Sequence, residues 1–166
     1  CLKSILSFFI YPIQIIKNLT KSNSSLELAN WLNEVPVIYY PNGFQAVAIR
    51  FKNSLQENSK IHAIAEEVLE TCHNGIVSWE SDEKFKPILI KGKNDHPKTK
   101  ERWKILGKYF NSKKIEYKEI ISVNGNILSK VINLIYQLDY TSIYLAVINQ
   151  KDPSPVHAIN FIKKKL

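Results

Sequence analysis

The chain contains no methionine and only two cysteines, Cys1 and Cys72. Two distant thiols make no disulfide framework, and neither sits in a C-x-x-C or similar metal-ligand spacing. A disulfide-stapled secreted scaffold and a zinc module are therefore excluded, and a reducing compartment, the cytoplasm, is expected. A chain that begins with Cys1 and holds no methionine is also expected to be part of a longer protein. Neither a glycine-rich dinucleotide fingerprint nor a P-loop, H-E-x-x-H or G-x-S-x-G occurs, which removes the common motif-borne chemistries. The apolar opening SILSFFIYPIQII, residues 4–16, falls short of the ~20 residues that a membrane span needs, and Pro12 interrupts it. A packed helical segment is expected there, with no membrane partner.

What is present suits one globular domain. The 166 residues are 45% hydrophobic and 23% charged, which is ordinary for a soluble fold and far from a disordered one. The formal charge of +8 favours anionic partners such as sugar phosphates. Its lysines are scattered, and the one tight cluster, Lys163 to Lys165, closes a helical pattern where cations suit the negative end of the dipole. No aromatic-basic module appears, so a nucleic-acid partner is not expected.

Along the chain, TKSNSS (20–25) has the character of a connection, and Ser24-Ser25-Leu26-Glu27 predicts a capping box opening a helix to about residue 32. VPVIYY (35–40), stopped by Pro41-Asn42-Gly43, predicts a strand buried on both faces. A helix over about 44–56, one over 60–72, strands at 87–92 and 117–123 and helices near 99–112, 126–147 and 156–165 complete the pattern. Alternation of this kind implies an α/β fold, a central parallel sheet with helices on both sides, whose ligands usually bind outside the carboxyl ends of the strands.

Two residues stand out as proton-transfer candidates. Glu57, beside Asn58, ends one helical pattern, where a side chain can face a cleft and a partly buried carboxylate becomes a better base at neutral pH. His73, beside Asn74 and just before Gly75, carries the side chain best suited to proton transfer near neutrality. Each also has a plainer reading, Glu57 as surface charge and His73 as a helix C-terminal cation. If 60–72 is one helix of thirteen residues, its ends lie about 20 Å apart, too far for both groups to serve one small substrate within one chain. A symmetric dimer could bring the two ends together.

These residues, with Tyr39-Tyr40-Pro41, the helix QAVAIRFKNSLQENSK, CHNGIVSWE and the closing DPSPVHAINFIKKKL, resemble the C-terminal half of the bifunctional phosphoglucose/phosphomannose isomerases, members of the sugar isomerase (SIS) superfamily. The resemblance implies a flavodoxin-like three-layer sandwich, with residues 1–25 as a helical segment and linker and 26–166 as the second SIS subdomain. It also implies an activity, the interconversion of glucose 6-phosphate and mannose 6-phosphate with fructose 6-phosphate through a cis-enediolate, with no cofactor and no metal. Glu57 would move the proton between C1 and C2, and His73, donated across a homodimer interface, would assist ring opening. Lys163 would join in ring opening and contact substrate oxygens, although Lys164 and Lys165 leave its register open by one. The first subdomain of such enzymes supplies the phosphate-binding loops and an arginine near the enediolate, so these are expected from outside this chain. Two other readings stay open: a sugar-phosphate-binding or dimerisation SIS domain without catalysis, and a basic nucleic-acid binder.

Overall fold

The computed structural model describes residues 23–81 and 84–166. The expected helical segment at 1–25 lies outside these residues except for its last three. The elements run α1 (Ser24–Trp31), β1 (Val35–Tyr40), α2 (Gln45–Ser54), a π turn (Leu55–Ser59), β2 (Ile64–Glu67), α3 (Val68–Thr71), a 3-10 turn (Gly75–Glu80), β3 (Phe85–Lys91), α4 (Pro97–Ser112), β4 (Lys118–Ile121), α5 (Ile127–Ile148) and α6 (His157–Lys163). The four strands form one parallel sheet in the order β2-β1-β3-β4, so the chain reverses direction across the sheet between β1 and β3.

Period-2 alternation in β1 divides the core. Ile38 and Tyr40 face a layer built with Leu28, Val47, Phe51, Leu134, Leu138 and Leu145, from α1, α2 and α5. Val37 and Tyr39 face the other layer, with Val68, Trp79, Trp103, Leu106 and Phe110. A strand hydrophobic at every position is what burial on both faces requires, and the three-layer α/β sandwich follows from it.

Local signals account for most boundaries. Pro97 sits in the first turn of α4 and the His96 ring accepts from the Lys98 amide, while Asn126 caps α5 by accepting from the Ser129 amide. The α1 cap is not the expected Ser24–Glu27 box. Asn23, one residue earlier, accepts from the amides of Ser25 and Leu26, and buried Ser25 instead donates to the Gln137 carbonyl of α5. Gly107 lets α4 approach the sheet, since a Cβ there would lie 2.8 Å from the Tyr117 hydroxyl oxygen.

The expected helix over 60–72 is the main correction. Its middle is β2, pairing in parallel with β1 from Val37↔Ile64 to Tyr40↔Glu67, and only Val68–Thr71 is helical. Ala65-Glu66-Glu67 has strong intrinsic helix preference, but an open ladder edge beside β1 outweighs a few tenths of a kcal/mol per residue.

Helix α5, at 22 residues, is long and apolar enough to cross a membrane by length and composition. In this fold Leu134, Leu138 and Leu145 of α5 are buried in the core and its Asp139 pairs with Arg50 of α2. Leu138 is fully buried, so Leu138→Ala should destabilise the domain by about 2–5 kcal/mol, read as a lower urea midpoint at unchanged slope.

Candidate functional site

At its carboxyl end α2 widens into the single π turn that carries Glu57, a departure from α-helix that recurs at functional sites. The turn is fixed from both flanks. Buried Ser59 donates to the Ser142 carbonyl at 2.6 Å, and the Asn58 amide nitrogen donates to the Ser142 hydroxyl at 2.8 Å. One turn back, the Arg50 guanidinium and the Ser54 hydroxyl both donate to the Asp139 carboxylate. Between these anchors the Glu57 side chain is exposed. Lys60 ends the turn in the left-handed region, φ 58°, and its ammonium donates to the carbonyls of Glu57 (2.6 Å), Pro155 (2.8 Å) and Pro153 (3.4 Å).

His73 lies beyond β2, in the turn that links α3 to the 3-10 turn, with its amide bonded to the Glu70 carbonyl and its side chain exposed. This segment is anchored by Trp79, whose indole N–H donates to the Tyr39 hydroxyl at 2.7 Å and whose ring meets Phe110 edge-on at 5.1 Å. Burial pushes the Tyr39 hydroxyl well above the ordinary tyrosine range, so it stays protonated. At Gly75 the Glu66 carboxylate, held by the Thr71 hydroxyl at 3.1 Å, occupies the space a Cβ would take, so a larger residue would displace that side chain.

The parallel pairing of β1 and β2 sets the two candidates apart. Helix α2 runs back from the carboxyl end of β1, so the π turn and Glu57 lie at the amino end of the sheet. His73 follows β2 at the carboxyl end. The rise of β2 alone separates them by roughly 13 Å, and its flanking segments add to that. The helix of about 20 Å inferred between them is not there; a strand and its flanking segments separate them instead. Helix α5 likewise runs from the carboxyl end of β4 back to the amino end, and the Lys60 bonds to Pro153 and Pro155 hold the segment leading to α6 there. The helix that follows, α6, carries Lys163 exposed at its last position.

The usual ligand position, outside the carboxyl ends of the strands, holds a cleft of about 350 Å3 lined by Tyr40, Asn42, Gly43, Gln45, Ala46 and Glu67. Glu67 at its wall makes it a poor seat for phosphate, and Glu57 is not part of it. Sequence reasoning missed the groups that shape the Glu57 turn, Lys60, Ser59 and Ser142. Among the described residues no group of three His, Cys, Asp or Glu side chains could hold a metal ion.

Residues 21–166 match the family of bacterial phospho-glucose isomerase C-terminal SIS domains. The chain is 34% identical over 155 residues to a bifunctional phosphoglucose/phosphomannose isomerase of Caldicellulosiruptor bescii, covering 90% of this chain and 44% of that protein. It is 29% identical over 144 residues to the protein so named in Aquifex aeolicus, covering 84% and 45%. The chain thus spans less than half the length of these relatives. The fold is similar to a glucose-6-phosphate isomerase like protein from Thermus thermophilus, with TM-score 0.62, 20% identity and coverage of 79% of this chain and 43% of that one. A tagatose-6-phosphate ketose/aldose isomerase from Escherichia coli gives TM-score 0.60 at 11% identity, covering 86% and 44%. At these identities the likeness is one of fold.

Trp79→Phe keeps the ring packing but leaves the buried Tyr39 hydroxyl without its partner. A loss of about 1–3 kcal/mol is expected in chemical denaturation, with faster amide exchange over 73–80 than over β3.

Proposed function

We propose, from the premise that this chain belongs to the family of bacterial phosphoglucose isomerase C-terminal SIS domains, that it supplies the proton-transfer half of an aldose-ketose isomerase. The reaction interconverts glucose 6-phosphate and mannose 6-phosphate with fructose 6-phosphate. Glu57 takes the C2 proton of the open-chain aldose as the carbonyl electrons move onto O1, which gives a cis-enediolate. It returns that proton to C1 while the O2 proton passes to O1, leaving the ketose. The two aldoses are epimers at C2, and the planar enediolate erases that difference, so one base can serve both. A carboxylate suits a carbon acid of this kind, and the Lys163 ammonium suits the negative charge that develops on oxygen.

The observation that carries the reading is the placement of Glu57 and His73 at opposite ends of the parallel sheet. His73 can then act on the pyranose ring oxygen only when it comes from a second protomer, in a homodimer whose sites are shared. Exposed apolar side chains at both ends support such an assembly: Ile127, Leu128 and Ile132 near the start of α5, and Ile159, Phe161 and Ile162 on α6. The acidic wall of the carboxyl-end cleft fits a phosphate grip supplied by the other half of the longer protein. The free, exposed Cys72 suits the reducing cytoplasm in which this reaction would run.

In the assembled isomerase, Glu57→Gln should lower turnover by about 10²- to 10⁴-fold and slow exchange of the C2 hydrogen with solvent deuterium in step. Undiminished exchange removes Glu57 as the base. Mixing inactive Glu57→Gln and His73→Gln subunits should restore about a quarter of wild-type activity, since half the dimers are mixed and each of those holds one intact site. Mixed dimers with no activity would place His73 in the same protomer's site.

A further inference from the structure

The π turn and the helix that carries Lys163 are far apart in sequence and are joined by one side chain. Helix α6 has no buried residue, so packing contributes little to its position. Among the described residues, Lys60 is the side chain from elsewhere in the chain that hydrogen-bonds to the segment entering it, through the carbonyls of Pro153 and Pro155. The same ammonium donates to the Glu57 carbonyl, so all three of its N–H donors are directed at backbone on the two sides. Asp152, one residue before Pro153, adds a carboxylate in the field of that ammonium. Neither proline nitrogen can donate, which leaves their carbonyls to accept. Lys60 also holds a left-handed backbone conformation that a non-glycine residue adopts at a cost. That conformation also closes the π turn, with the Lys60 amide donating to the Leu55 carbonyl.

We propose that Lys60 is a positioning residue that locks the Glu57 turn to the C-terminal segment and so sets where Lys163 stands relative to Glu57. It touches neither substrate nor reacting atoms. Its three bonds make the base and the C-terminal cation one unit, so that a shift of α6 is felt at Glu57. The coupling to chemistry rests on the isomerase reading above; the clamp itself rests on geometry alone.

The test uses Lys60→Met, which keeps the aliphatic stem and removes the donors, and Lys60→Gly, which removes the donors while relieving the left-handed backbone, so that one variant folds without strain. Amide exchange over 157–163 should speed up about tenfold or more in both variants, with exchange in β1 and β3 unchanged. Unchanged protection of 157–163 in both overturns the clamp. In the assembled isomerase Lys60→Met should lower kcat more than it changes KM, and the Lys60→Met/Lys163→Met double variant should be about as slow as Lys163→Met alone. Losses that multiply independently overturn the positioning role even where the clamp stands. Should Glu57→Gln and Lys163→Met both prove fully active, the isomerase assignment fails, and the exchange measurement still decides the clamp.

Discussion

The pairing of β2 alongside β1 in the same direction is the constraint from which the rest of the arrangement follows. Two parallel neighbours need a crossover that returns the chain to the amino end of the sheet before the second strand begins. Here the crossover is α2 with its π turn, so Glu57 is delivered to the amino end and His73, after β2, to the carboxyl end. No side-chain rotation brings them together. Any chemistry that uses both groups at once is therefore built between molecules, and this is a property of topology rather than of either residue.

Helix α5 converts that topology into a rigid site. Most of its surface is apolar and part of it packs in the core, yet the stretch facing α2 and the π turn carries Asp139 and Ser142. Those two residues meet the donors of Arg50, Ser54, Asn58 and Ser59 over two helical turns. Ser59 and Ser142 are buried, and a buried hydroxyl is tolerable only when bonded. The same bonds that satisfy them also hold the π turn in place, with the Glu57 carboxylate exposed between fixed neighbours.

Much of this is legible in the residues. The apolar run 35–40 ended by Pro41-Asn42-Gly43 reads as an interior strand, and β1 is Val35–Tyr40. The period of Trp103, Leu106 and Phe110 marks α4, and all three are buried. The segment 60–72 misleads because its local preference is helical, while what decides it is a vacant edge beside β1, a long-range fact no local window contains. Glu57 and His73 stand out in the sequence by type, order and their sixteen-residue spacing, but the helix expected between them is not there, and a strand separates them instead. Lys60 is invisible as an actor. Its bonds reach Pro153 and Pro155, more than ninety residues away.

Tyr39-Tyr40-Pro41 and CHNGIVSWE are separate motifs in the sequence; in the fold they touch, through the Trp79 indole and the Tyr39 hydroxyl. That contact explains why the His73 segment carries a tryptophan six residues on. The loop leaves the His73 imidazole exposed, and a short α3 and a 3-10 turn give it few backbone bonds. A large ring in the second core layer supplies the anchorage that local structure lacks. The amino end is built by the opposite means. There the Glu57 turn is held by hydrogen bonds to α5, and α6 is held by lysine donors rather than by burial, with Phe161 and Ile162 left exposed. An end fixed by apolar packing is set once the chain folds. An end fixed by three bonds to one ammonium, with Phe161 and Ile162 uncovered, is held by hydrogen bonding rather than by packing.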